Sequence, residues 1–194
     1  MSHRAMGSTA PPTQIRAMID YIDWWRAERP GFIGSGALYD AAEANCRDAS
    51  ARAIARMFVI HASASLIGDP HVSFVDGRAA GEYLEKLIPL DDPERAPLMF
   101  CLAALEQRDL PRLTVALHAA AIYCARQYIL YSARSLAQLS YRAALEIGSW
   151  QDAWNAAYLL YRVAILDENP AAARRWEERA DVHRLRVQSA TPRV

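Results

Sequence analysis

Ser149-Trp-Gln-Asp-Ala-Trp-Asn-Ala-Ala-Tyr-Leu-Leu-Tyr-Arg-Val-Ala-Ile-Leu166 is the most strongly patterned stretch of this chain. At roughly 100° of rotation per residue, Trp150, Trp154, Tyr158, Tyr161 and Ile165 fall on one flank of an apolar arc. Ala153, Ala156, Ala157, Leu160 and Ala164 fall on the adjoining flank, while Gln151, Asp152, Asn155 and Arg162 share the remaining side. The bulky flank can fill a gap between helices, and the small flank lets a neighbouring backbone come close. The pattern predicts a helix packed on more than one side, capped at its start by Ser149.

The chain around this stretch is organised the same way. Glu94–Gln107 reads as a helix with Leu98, Cys101, Leu102 and Leu105 in line. Asp109 caps a helix over Leu110–Arg126, with Pro111 tolerated in its first turn. Ser132 or a nearby residue begins another, which runs to Ile147 and is stopped by Gly148. Asn169-Pro170 ends the opening stretch and caps a last helix, Ala171–Val187, whose many charges suit a solvent-facing terminal element.

The first half is less regular. Helices are expected over Gln14–Glu28, over about Ala37–Cys46, and over Ala51–Ile67 with Ser50 as its cap. In that third helix Ile54, Met57, Phe58, His61 and Ala62 mark the inward face. Gly68-Asp-Pro70 closes it, 71–77 reads as an extended loop, and Asp76 caps a helix to about Leu87. Pro89, Asp91, Asp92 and Pro93 give the clearest boundary. The expected fold is therefore all-α, with eight or nine helices and no significant sheet. Residues 1–12 and 188–194 are tails; 13–92 is a helical N-terminal half that packs with 93–187 as one compact domain.

Composition narrows the function classes. The formal net charge is zero, against a general nucleic-acid or anionic-membrane binder. Lys86 is the only lysine among 22 basic residues, which together with the many alanines reads as a GC-rich bacterial coding bias. Cys46, Cys101 and Cys124 are far apart and lack metal or redox spacing, so reduced, buried thiols in a cytoplasmic protein are expected. No apolar run approaches the ~18 residues of a membrane span, and the N-terminus lacks a secretory core.

Ala103-Ala-Leu-Glu106 recurs forty residues later as Ala143-Ala-Leu-Glu146, and the turns that follow correspond, Gln107-Arg-Asp-Leu110 with Ile147-Gly-Ser-Trp150. Two antiparallel helical hairpins and a terminal helix are what such a repeat gives. Leu145-Glu-Ile-Gly-Ser-Trp-Gln-Asp-Ala153 resembles the turn of the tetratricopeptide repeat family: Gly148 ends one helix, Trp150 follows, and small Ala153 sits where helices cross. Pro170 resembles that family's terminating proline. The resemblance covers about 94–187, and its departures are a period near 40 rather than the family's 34, a longer second helix, and Arg108 in place of the turn glycine. It implies a right-handed array of antiparallel helical hairpins that binds protein segments along its concave face, nominating Gln138 and Arg142. Tyr131 and Arg134 are added to these two.

No residue set announces catalysis, a cofactor or a metal. Arg56 to His61 and Arg112 to His118 match the Arg-to-His spacing of HEPN ribonucleases, but in so arginine-rich a chain such matches arise by chance. Gly68-Asp-Pro-His-Val-Ser-Phe74 resembles a helical, non-catalytic segment of carboxyl-terminal processing proteases and reads more simply as a helix-ending turn. There is no phosphate-binding glycine loop and no nucleophile motif. Six of the nine tyrosines lie between Tyr123 and Tyr161, and buried hydroxyls need partners, so some should be half-exposed at a groove. The first expectation is thus a non-catalytic interaction or regulatory protein, such as an adaptor, a chaperone-like protein or a toxin-neutralising partner. The alternative is a small-ligand or enzymatic helical bundle with a pocket between its halves near Trp24, His61, His71 and Tyr83.

Overall fold

Helices account for nearly everything in the computed structural model, which describes residues 51–68, 88 and 90–190. There are six: α1 (Ala51–Gly68), α2 (Arg95–Glu106), α3 (Leu110–Arg126), α4 (Leu130–Glu146), α5 (Trp150–Leu166) and α6 (Pro170–Ala190). No strand occurs among the described residues. The helices expected before residue 51, the loop at 71–77 and the helix expected after Asp76 lie outside them.

From α2 onward every connection is three residues long and built alike. Arg108, Tyr128, Gly148 and Glu168, spaced twenty residues apart, all take a left-handed backbone with φ of 51°, 56°, 69° and 50°. In each turn that residue's N–H donates to a carbonyl three residues back, as Arg108 does to Leu105 at 3.1 Å. The next N–H donates five back: Asp109 to Ala104, Ile129 to Cys124, Ser149 to Ala144 and Asn169 to Ala164, at 2.9–3.0 Å. This pair of bonds is the Schellman closure of a helix C-terminus. The residue that completes it is already the N-cap of the following helix, since its carbonyl accepts the first helical bond, from Leu113, Ala133, Ala153 and Ala173 in turn. One residue therefore satisfies orphan groups at two helix ends.

The caps explain the boundaries. Asp109 accepts from the Arg112 N–H at 2.9 Å, and Asn169 accepts from Ala172 at 3.0 Å. Ser149 accepts from Asp152 and donates its hydroxyl to the Asp152 carboxylate, a reciprocal arrangement that fixes the first turn of α5. Ile129 supplies no side-chain cap. It is partly buried against the core instead, and α4 begins at Leu130, two residues before the expected Ser132.

Consecutive helices pack on one another, α1 lies against α2 and α4, and α3 also touches α5. The core they share includes Phe58, Leu98, Leu102, Leu105 and Leu113, all essentially inaccessible to solvent. Each such side chain contributes about 1.5–3 kcal/mol relative to exposure. On α5 the small flank is fully buried at Ala153, Ala156 and Ala157, with Leu160 and Val163 beside it. Ala143 and Ala144 on α4 and Ala120 and Ala121 on α3 are likewise buried, so these helices approach closely.

The bulky flank of α5 differs from the expectation of a filled gap. Trp150, Tyr158 and Ile165 keep 37–49% of their surface exposed. At its N-terminal end the terminal helix lies against it, Trp150 stacking on His183 with centroids 5.8 Å apart, and at its other end Tyr161 and Ile165 share a shallow cleft with Ala173 and Glu177 of α6. Trp176 of the same helix packs edge-on against Tyr141 of α4. On α6 itself the array's buried positions change character. Leu117, Ala137 and Ala157 are succeeded twenty residues on by exposed Glu177, and Cys124, Ala144 and Ala164 by exposed Arg184. Charge at those positions keeps the far side of α6 in water.

Candidate interaction surface

Tyr131, Arg134, Gln138 and Arg142 follow one another at three- and four-residue steps, which places them on a single stripe of α4. The opposite side of the helix is buried through Ala133, Leu136, Ala137, Ser140, Ala143 and Ala144. The Ser140 hydroxyl is anchored there, donating at 2.9 Å to the Thr114 carbonyl of α3. The stripe therefore faces away from the core. Tyr131 is 70% exposed, a large cost in apolar area left in water. Arg134 lies over its ring at 5.9 Å and pairs with Asp167 at the end of α5 at 3.0 Å. That pair is half-exposed and contributes about 0–1 kcal/mol. It positions the guanidinium more than it stabilises the fold. Gln138 and Arg142 are exposed and engage no partner among the described residues.

Two further clusters are structural in character. Where α1 meets the segment before α2, Arg56 donates to both carboxylate oxygens of Glu94 at 2.8 and 2.9 Å, with both side chains buried. Arg52 pairs with Asp92, whose other oxygen accepts the Glu94 N–H at 2.9 Å. Burial, reinforced by the Glu94 carboxylate, pushes the Cys124 thiol up to about 12, and burial raises Cys101 further. Both thiols are therefore protonated and inert at neutral pH. Burial and the same two carboxylates also raise the Tyr123 phenol.

The second cluster joins α4, α5 and α6. His183 is buried, its Nε2 is 2.9 Å from the Tyr141 hydroxyl, and its ring lies between Tyr141 and Trp150. Arg186 covers Trp150 at 4.5 Å and Arg179 covers Trp176 at 4.7 Å. Burial first, and then Arg186 and Arg179, lower the His183 pKa below its usual 6.5. His118 is lowered by burial against a weaker opposing pull from Asp152. Neutral histidines held this way read as packing groups.

The ribonuclease-like spacing gains nothing from this geometry. Arg56 is committed to Glu94. Arg112 is bound at 2.7 Å to Gln107 and is exposed, while His118 lies two-thirds of a turn round the helix from it. Trp24, His71, Tyr83 and the side chain of His61 lie outside the described residues, so the alternative pocket does too. Among the described residues no three histidine, cysteine or acidic groups cluster as a metal site, and no helix is long and apolar enough to cross a membrane. No protein-family model matches the chain, and neither a curated protein nor a solved structure does.

Proposed function

We propose that this chain is a non-catalytic interaction or regulatory protein that binds a protein segment along the outward stripe of α4. The carrying observation is the stripe itself: an exposed aromatic ring, Tyr131, followed on one face by Arg134, Gln138 and Arg142. An exposed tyrosine beside arginines is the composition that interface centres favour. In this reading residues 93–187 form a tetratricopeptide-like array of antiparallel hairpins, and 13–92 is a helical half packed against it. The pairing of Arg134, near the start of α4, with Asp167, just past the end of α5, supports the antiparallel arrangement. The contact of α1 with α2 and α4 supports the packing of the two halves.

Affinity capture from the native host, comparing wild type with Arg142→Glu, tests this reading. Arg142 is exposed and makes no hydrogen bond or ion pair among the described residues, so the variant should fold normally and lose specific partners. Identical recovery by the two proteins would remove the stripe as the binding surface.

A further inference from the structure

A cleft of about 270 Å³ opens between α3 and α5, and no residue of the α4 stripe lines it. Ile122, Ala125 and Leu159 form its partly buried floor. Tyr128 and Leu166, exposed by 73% and 42%, stand on its rim. Its charged groups are Arg126 and Arg162, and no carboxylate lines it.

Both arginines are exposed, and neither has a partner among the described residues. Arg126 closes α3 and so gains from the negative end of that helix. This does not explain Arg162, a full turn inside α5, nor why two like charges flank one apolar floor. Asp167, five residues on from Arg162, is held by Arg134. In a chain of zero net charge this leaves a local positive spot beside exposed apolar surface. The surface is complementary to a ligand that brings negative charge and apolar side chains together. The cleft is too small and too open to the side to enclose a drug-sized molecule. It suits one or two anchoring side chains of a longer segment.

We infer that the α3–α5 cleft is a second docking site, which takes an acidic segment of a partner protein. Apolar side chains of that segment lie on Ile122 and Leu159 against Tyr128, and its carboxylates pair with Arg126 and Arg162. The inference rests on the reading of the chain as an interaction protein but uses different residues.

The test uses the full chain and two fluorescein-labelled peptides with leucine and phenylalanine at helical spacing, one with glutamate at the other positions and one with lysine. Fluorescence anisotropy should show the glutamate peptide binding, with affinity falling as salt rises. Arg126→Glu/Arg162→Glu should weaken it by about tenfold or more, and Tyr128→Gly should weaken it while leaving the fold intact by circular dichroism. Arg142→Glu should bind the peptide as wild type does. No binding of the glutamate peptide, equal binding of the lysine peptide, or unchanged binding by the double variant would each overturn the inference. So would preferential binding of a single-stranded oligonucleotide. Loss of host partners in Arg142→Glu alongside any of these outcomes would leave the α4 stripe standing and remove only the cleft.

Discussion

Glu168→Gly should make this protein more stable. Glu168 holds φ of 50° in the turn between α5 and α6, a conformation that costs a residue with a Cβ about 1–2 kcal/mol. Glycine avoids that strain but gives up more chain entropy on folding, about 0.5–1 kcal/mol. The balance is a gain of about 0.5–1 kcal/mol. The lost charge contributes little, because Glu168 sits between the negative end of α5 and the positive end of α6. Glu168→Gln isolates that contribution and should be near neutral. The reciprocal change is Gly148→Ala, where φ is 69° and an added Cβ would meet nothing within 4 Å. With no steric clash, its net cost is the backbone strain less the chain entropy that alanine saves, about 0.5–1 kcal/mol. Urea unfolding followed by far-UV circular dichroism should show the midpoints moving in opposite directions at constant slope. In thermal melts the shifts should be about 2–4 °C per kcal/mol. A lower midpoint for Glu168→Gly, or no change for Gly148→Ala, would refute the claim that backbone conformation governs these turns.

Other consequences follow from packing and charge. Ala157→Trp places a ring where a fully buried alanine stands and should cost about 1–3 kcal/mol by overpacking; unchanged thermal stability would mean the small flank of α5 is not packed. Glu94→Gln leaves buried Arg56 without its counter-charge and should destabilise by about 3–5 kcal/mol, which chemical denaturation would measure. Stability should also depend on pH through His183 and His118. Both pKa values are lowered on folding, so their contribution is complete above the usual 6.5 and is lost as pH falls below it. Urea midpoints should drop between about pH 7.5 and about pH 5.5, a window still above the carboxylate range, and His183→Gln should flatten the profile.

Much of the second half was legible from local chemistry. Asp109, Ser149 and Asn169 are polar caps next to helix starts, and Gly148 is the residue a left-handed turn favours, so α3, α5 and α6 begin within a residue of their expected places. The start of α4 was obscured because Ile129 does a cap's backbone work with an apolar side chain. The twenty-residue turn spacing was hidden for a related reason: Arg108, Tyr128 and Glu168 occupy left-handed positions that their side chains do not advertise. The identical Ala-Ala-Leu-Glu segments at Ala103 and Ala143 lie two turns apart, with an unlike segment at 123–126 between them, so the echo shows twice the structural unit.

At the candidate surface, the family resemblance points to Gln138 and Arg142, to which Tyr131 and Arg134 are added, and the three- and four-residue spacing on α4 puts all four on one face. Their partners could not be read the same way. Arg134 meets Asp167 across 33 positions of chain, and Arg56 meets Glu94 across 38. Trp150 finds His183 only because α6 folds back over α5. Arg126, Tyr128 and Arg162 drew no notice because nothing in a one-dimensional pattern joins the end of α3 to the middle of α5.

The uniform turn has a consequence for how such a chain could grow. Because every connection from α2 onward has the same geometry, one helix and one turn form a complete module of twenty residues. In the proposed array, duplicating one module would reverse the direction of every helix after it and hand the charged positions of α6 to the opposite layer. Duplicating two would preserve both. Length variation among descendants of this chain should therefore respect parity, with modules gained or lost in pairs and single-module changes selected against.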